Sequence, residues 1–112
     1  MKKIEAIIRP SKLEELKDCL QKFDITGLTI SQVLGCGRQK GFSMDLPNGD
    51  VLLNVLPKIE IKMVVDDSNV DEIITIISSV ARTGKVGDGK IFISDISDCV
   101  RIRTNERGSS AL

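Results

Sequence analysis

A chain of 112 residues is the size of one ordinary domain with one hydrophobic core, and it leaves no room for a second. Hydrophobic residues make up 41% and charged residues 29%, which excludes a disordered or fibrous chain and predicts a soluble globular one. Sixteen basic side chains balance sixteen acidic ones, so no global field draws the chain to nucleic acid or anionic lipid, and any anion-binding role has to come from local clusters. Cys19, Cys36 and Cys99 are odd in number and far apart, matching neither a disulfide framework nor a zinc site, and read as reduced thiols. Histidine and tryptophan are absent, which removes the usual imidazole base and metal ligand. Met1-Lys2-Lys3-Ile4-Glu5 meets charge too early for a signal-peptide core, and no apolar run approaches membrane-spanning length; a cytoplasmic protein without direct membrane insertion is expected.

Residues Lys3 to Arg9 alternate, with Ile4, Ala6 and Ile8 on one face and Lys3, Glu5 and Ile7 on the other, the period of a strand that Pro10 ends. Ser11 followed by Glu14 has the spacing of a capping box, and Leu13, Leu16, Leu20 and Phe23 form the stripe of a first amphipathic helix. Thr26-Gly27 breaks it, and Leu28 to Leu34 predicts a second strand. Gly35 to Asp50 then reads as a long connection, within a region 35–55 expected to form a mobile loop; Asn48-Gly49 signals a tight turn in it. Ile59, Ile61, Met63 and Val65 alternate with Lys58, Glu60, Lys62 and Val64 in a third strand. Ser68 with Asp71 is placed to cap a second helix carrying Val70, Ile73, Ile74, Ile77 and Val80 or Ala81, and stopping near Gly84. Ile91 to Ile102 predicts a β-rich closing segment, and the polar stretch Thr104 to Leu112 a tail mobile by itself.

The order βαββαβ is that of an α+β, ferredoxin-like domain: a four-stranded antiparallel sheet with two helices on one face. Its helix-free face carries Ile7, Val64, Lys3, Glu5, Glu60 and Lys62, a mixture open either to solvent or to a subunit interface.

Gly84-Lys85-Val86-Gly87-Asp88-Gly89-Lys90 sits between the second helix and the last strand. Glycines there let backbone N–H groups converge on an anion, and lysines add charge, as in a phosphate cradle; a flexible turn with solvated lysines is the plain alternative. Arg101 and Arg103 lie two apart, so an extended backbone projects both guanidiniums to one side, where forked donors suit phosphate oxygens; a solubilising strand end is their plain alternative. Gly35-Cys36-Gly37-Arg38-Gln39-Lys40-Gly41 is a second glycine-rich basic run that matches neither the dinucleotide fingerprint nor a P-loop.

These blocks together resemble the PII signal-transduction family along nearly the whole chain. The resemblance runs from Met1-Lys2-Lys3-Ile4 through Ile25-Thr26-Gly27, Gly37 to Gly41 and Leu56-Pro57-Lys58 to Thr83 through Phe92 and Arg101-Ile102-Arg103-Thr104. It implies a homotrimer with ATP or ADP in each cleft between subunits. Gly87, Asp88, Gly89 and Lys90, within a phosphate-binding loop at 82–90, would cradle the phosphates from one subunit. Arg101 and Arg103, in a nucleotide-contacting segment 101–112, would reach across from the next. Thr29, Gly37, Arg38 and Val64 would surround the nucleotide. Gln39 would ligate the Mg²⁺ on ATP, and 2-oxoglutarate would complete that metal's shell, held by Gln39, Lys40, Gly41, Gly87 and Lys58. The long loop would dock on a protein target, such as an ammonium transporter that recruits it to the inner face of the membrane, or an enzyme or regulator of nitrogen metabolism.

The departures lie in the loop tip. Val51 stands where many members carry a nucleotidylated tyrosine, and the chain has no tyrosine. Gly49 stands at the serine phosphorylated in another branch, and Pro47 at an arginine that in some members plugs an ammonium channel. The expected function is a regulator without chemistry of its own, sensing energy and carbon/nitrogen status. The rivals are a slow ATPase, a relative tuned to another small effector, and an RNA-binding sheet, which the shortage of aromatics disfavours.

Overall fold

The computed structural model describes residues 1–23, 25, 27–38 and 53–112. Among these described residues six helices and strands follow one another, apart from short 3₁₀ turns: β1 (Lys2–Ile8), α1 (Leu13–Gln21), β2 (Thr29–Arg38), β3 (Leu53–Val65), α2 (Val70–Ala81) and β4 (Lys90–Asp95). The sheet is antiparallel throughout, in the order β2-β3-β1-β4, which makes the expected ferredoxin-like architecture the observed one.

Alternation decides which face is buried. Ile4, Ala6 and Ile8 of β1 and Ile59, Ile61, Met63 and Val65 of β3 turn inward, where they meet Leu16 and Leu20 of α1 and Val70, Ile73, Ile77 and Ala81 of α2. The helical stripes are those of the 3.6-residue period. Truncating one of the fully enclosed side chains, such as Ile73, to alanine removes core volume that costs about 2–5 kcal/mol.

Both helix starts depart from the capping expectation. Pro10 opens a 3₁₀ turn, Pro10–Lys12, with Arg9 as its N-cap, and Ser11 makes no side-chain cap bond. Asp67–Asn69 form a similar turn before α2, again without a side-chain cap. The fixed φ of proline suits a first helical position, so the chain enters the turn one residue too early for Ser11 to act as a cap. Acidic residues in the first turns, Glu14 and Glu15 of α1 and Asp71 and Glu72 of α2, favour the positive end of each helix dipole. Helix α2 ends at Ala81, three residues before Gly84.

Strands β2 and β3 run further than expected. Their ladder extends from Thr29 opposite Lys62 to Arg38 opposite Leu53, taking in part of the predicted loop on both sides. Strand β1 pairs with β3 only from Ile59 onward, so residues 53–58 belong to a two-stranded arm. Pro57 lies in that arm, where β3 is an edge on the β1 side and a missing N–H is tolerated.

The other end of the chain is a larger correction. Strand β4 stops at Asp95 opposite Lys2, and Ile96 N–H donates to the Met1 carbonyl (3.2 Å). There β4 runs out of neighbour, because β1 has begun, and an unpaired continuation to Ile102 has nothing to bond with. Residues 99–108 instead double back: Val100 bridges to Arg107, Arg101 N–H donates to the Glu106 carbonyl (2.9 Å), and Gly108 N–H donates to the Cys99 carbonyl (3.0 Å). A final 3₁₀ turn, Gly108–Ala111, sets Ala111 at 8% exposure. The tail expected to be mobile is folded onto its own domain.

Candidate functional site

The helix-free face carries the polar residues of the alternation. Lys3, Glu5 and Ile7 of β1 stand opposite Val64, Lys62 and Glu60 of β3, and Thr29 and Val33 of β2 stand opposite Lys62 and Lys58. Two candidate regions sit at opposite ends of β1.

At its start, a cleft of about 440 Å³ is lined by Lys3, Thr29, Lys62, Val64, Arg101 and Leu112 among others. Thr29, Val64 and Arg101 are therefore brought together. Each cation of this cleft has an acidic neighbour: Lys3 with Glu5 (2.9 Å), Lys62 with Glu60 (2.9 Å) and Arg101 with Glu106 (3.1 Å). The Lys3 ammonium holds the Glu5 carboxyl below its ordinary value, and the Glu60 carboxylate holds the Lys62 ammonium above its own. Arg101 also donates through Nη2 to the main-chain oxygens of Leu112 (3.0 Å) and Ser110 (3.4 Å).

At the end of β1 lies the loop between α2 and β4. Its hub is Asp88, whose carboxylate accepts from Thr83 N–H (2.8 Å), Gly84 N–H (2.9 Å), the Thr83 hydroxyl and Arg9 Nε (3.3 Å). The Thr83 hydroxyl, followed by these amides and Arg9, holds Asp88 far below the usual carboxylate range. Arg9 also donates to the Val86 carbonyl (2.8 Å), and Lys58 donates to the Gly87 carbonyl (2.6 Å). Lys58 reaches it across Gly35, whose missing side chain makes room: a Cβ there would sit 2.9 Å from Lys58 Cγ. Gly89 is the tightest point, with φ +104° and a would-be Cβ 1.7 Å from the Ile7 carbonyl oxygen. Only glycine allows β1 and the loop to approach so closely.

The loop is thus a braced turn with its carboxylate facing inward. Asp88 organises the loop, and its charge is spent on the loop's own amides and hydroxyl and on Arg9. Lys90 stands opposite Ile7, four residues along β1 from Lys3, about 13 Å at strand rise. One chain therefore holds the predicted nucleotide residues as two separate groups. Lys58 and Gly87, both expected to hold 2-oxoglutarate, are in contact. Gly37 and Arg38 stand near the end of the arm, opposite Asn54 and Leu53. Arg103 is exposed within a turn at residues 102–104. The expectation that an extended backbone sends Arg101 and Arg103 to one side fails with the strand that carried it: Thr104 and Asn105 N–H both turn back to the Arg101 carbonyl (3.3 and 2.8 Å). Gln39, Lys40, Gly41 and Val51, with the loop tip around them, lie outside the described residues.

The family model for nitrogen regulatory protein P-II matches residues 1–106. The chain belongs to the P-II family. Curated P-II proteins of Rhizobium meliloti (strain 1021) and Porphyra purpurea are 43% and 49% identical to it, each over the whole length of both chains. Among solved structures, the B. subtilis GlnK–ATP complex superposes with a TM-score of 0.86 at 40% identity, covering 99% of this chain and 94% of that one. A second structure of B. subtilis GlnK gives 0.85 at 41%, covering 99% and 97%.

The sequence reading gave several residues of this P-II chain no role of their own, although all but Arg9 lie in segments it singled out. Arg9 and Thr83 brace the loop, and Glu106, Ser110 and Leu112 surround Arg101. Antiparallel pairing of the first and last strands carries a signal for Arg9, because it puts the end of β1 beside the turn that precedes β4. The tail residues carry no such signal; their contacts depend on a fold-back with no periodicity. Among the described residues no group of three acidic, cysteine or histidine side chains is placed to hold a metal, and no helix is long and apolar enough to cross a membrane.

Proposed function

We propose that this P-II protein is a homotrimeric sensor of ATP and ADP, with 2-oxoglutarate as a further effector. In this reading it controls enzymes, transporters or regulators of nitrogen metabolism through the segment between β2 and β3. The observation that carries the reading is the separation of the two basic groups. A glycine-rich loop with Lys90 and Lys58 stands at one end of the sheet face, and the Arg101 cleft at the other, so a second copy is needed to bring them to one polyphosphate. The likeness to B. subtilis GlnK, one of whose structures is a complex with ATP, supports the choice of nucleotide.

In the assembled site, N–H groups of Gly87, Gly89 and Lys90 take phosphate oxygens from one side, and Arg101 and Arg103 from the other. Thr29, Val64, Gly37 and Arg38 surround the rest of the nucleotide. Mg²⁺ enters with ATP, and the amide oxygen of Gln39 is a donor suited to a hard cation. 2-Oxoglutarate takes Lys58 as its carboxylate partner, beside Gly87 and the Gln39-Lys40-Gly41 backbone. No side chain of these groups is poised as a general base, which favours regulation over turnover. With Val51 at the loop tip and no tyrosine in the chain, tyrosine nucleotidylation has no acceptor, so ligands act by shifting loop populations.

Calorimetric titration with ATP, ADP and 2-oxoglutarate, alone and with Mg²⁺, tests this directly, with light scattering on the same sample. The expected result is a trimer that binds both nucleotides, and Mg-ATP more tightly when 2-oxoglutarate is present. A monomer with full ATP affinity sinks the reading. Nucleotide heat without any 2-oxoglutarate effect at millimolar ligand leaves an adenine-nucleotide sensor with a different second effector.

A further inference from the structure

Arg101 is the cation of the cleft whose partners all come from the segment just after it. Its Nη1 donates to Glu106 Oε1 (3.1 Å), and its Nη2 to the main-chain oxygens of Leu112 (3.0 Å) and Ser110 (3.4 Å). The main chain closes the same loop, with Arg101 N–H on the Glu106 carbonyl (2.9 Å). The far end of the segment is anchored: Ala111 is buried, and Ala111 and Leu112 line the cleft itself. Three oxygens, that of the Glu106 carboxylate among them, thus surround the guanidinium where a phosphate would present its own.

We propose that residues 106–112 act as an internal phosphate mimic, a latch in which Glu106 and the main-chain oxygens of Ser110 and Leu112 hold Arg101 until an anionic ligand displaces them. The proposal rests on the nucleotide reading above, since it takes Arg101 as the phosphate clamp. A guanidinium has five N–H donors in a fixed fork, and both terminal nitrogens are engaged by the tail. Bidentate capture of a phosphate then requires at least one of these contacts to break. Lys3 and Lys62 differ in this respect, because their acidic partners Glu5 and Glu60 sit on rigid central strands. Of the three cations lining the cleft among the described residues, Arg101 is the one whose acid belongs to a segment outside the sheet. Part-exposure of both members, 36% and 44% at the side chains, keeps the ion pair weak enough for a polyphosphate to replace.

The test is ATP affinity, by calorimetry on the full chain, in wild type, Glu106→Gln, Arg101→Ala and the double variant. Glu106→Gln keeps the shape of the side chain and removes its charge, and ATP is expected to bind about three- to fivefold more tightly, the size of one half-exposed ion pair. Arg101→Ala should weaken ATP and abolish that gain, so that Glu106→Gln has no effect in its background. Glu15→Gln, an exposed acid on α1, removes the same charge far from the cleft and should leave affinity unchanged. An unchanged or reduced affinity in Glu106→Gln overturns the latch, as does a gain that persists without Arg101. A wild-type protein that binds no ATP overturns the nucleotide reading and the latch together, an outcome distinct from both.

Discussion

The loop at 82–90 and the segment at 100–112 are each organised by one charged side chain, and the two charges are opposite. Asp88 gathers donors: two amides, a hydroxyl and the Arg9 guanidinium. Arg101 gathers acceptors: a carboxylate and two main-chain oxygens. In the proposed function, where the protein takes up phosphates, the difference decides what each region does. The bonds of Asp88 brace the loop and leave the ligand's role untouched, because a phosphate has no donors to offer that carboxylate. The bonds of Arg101 are made by groups of the kind a phosphate carries, and are therefore exchangeable. Similar charge-assisted hydrogen bonding fixes one region and, in the proposed latch, sets the other to compete with its ligand.

Glycine substitution in the two regions should give the widest separation. Gly89→Ala puts a methyl 1.7 Å from the Ile7 carbonyl oxygen at φ +104°, a clash that two backbones have to relieve. It is expected to lower stability by about 3 kcal/mol or more in urea denaturation. Gly108→Ala, in the tail, also has positive φ (+71°) but meets nothing within 4 Å, and should cost only about 1–2 kcal/mol, the penalty of the left-handed conformation itself. Equal losses would mean that the loop is no more rigidly seated on β1 than the tail is on its cleft.

Acid offers a second separation. The folded-state pKa of Asp88 is depressed below its unfolded value, so its contribution to stability is fully present above the unfolded value of about 3.9. It is lost only as pH falls through the lower folded one. Amide shifts of Thr83 and Gly84 should therefore hold constant from neutral pH down to about pH 4 and move only well below it. Asp88→Asn, which loses the charge at every pH, should speed hydrogen exchange at those two amides on the order of tenfold. Exchange unchanged in the variant would remove Asp88 as the hub.

How much of this was legible in the sequence follows from where periodicity exists. Ile4, Ala6 and Ile8, and Val70, Ile73 and Ile77, declare strand and helix because their period is the packing itself. From Gly35 to Arg38 the signal fades, since glycines show no face, yet the ladder continues because residues 53–58 pair across it. Ile91 to Ile102 misleads in the other direction: apolar residues continue past Asp95, but β1 has begun at Lys2 and no strand remains to pair with. The glycines and basic residues of the site were legible as types. Their grouping was not, because Asp88 turning inward and Arg101 turning to its own tail are tertiary choices that neither spacing nor composition encodes.

The smallest effect on stability is expected at Lys58, which sits between the two behaviours. Its ammonium donates to the Gly87 carbonyl (2.6 Å), a brace like those of Arg9, yet in the proposed function the same ammonium has to turn to a carboxylate of 2-oxoglutarate, as Arg101 turns to phosphate. Lys58→Met keeps an unbranched stem over Gly35 and deletes the charge. The loop keeps Asp88, Arg9 and the Gly89 contact, so stability should fall by no more than about 1 kcal/mol, and ADP affinity should change less than about threefold. Sensing of 2-oxoglutarate should go altogether, together with its enhancement of Mg-ATP binding. A large loss of ADP affinity would class Lys58 with Asp88, as a structural brace of the phosphate loop. Retained 2-oxoglutarate binding would leave Gly87 and the Gln39-Lys40-Gly41 run as its partners and remove Lys58 from the effector site.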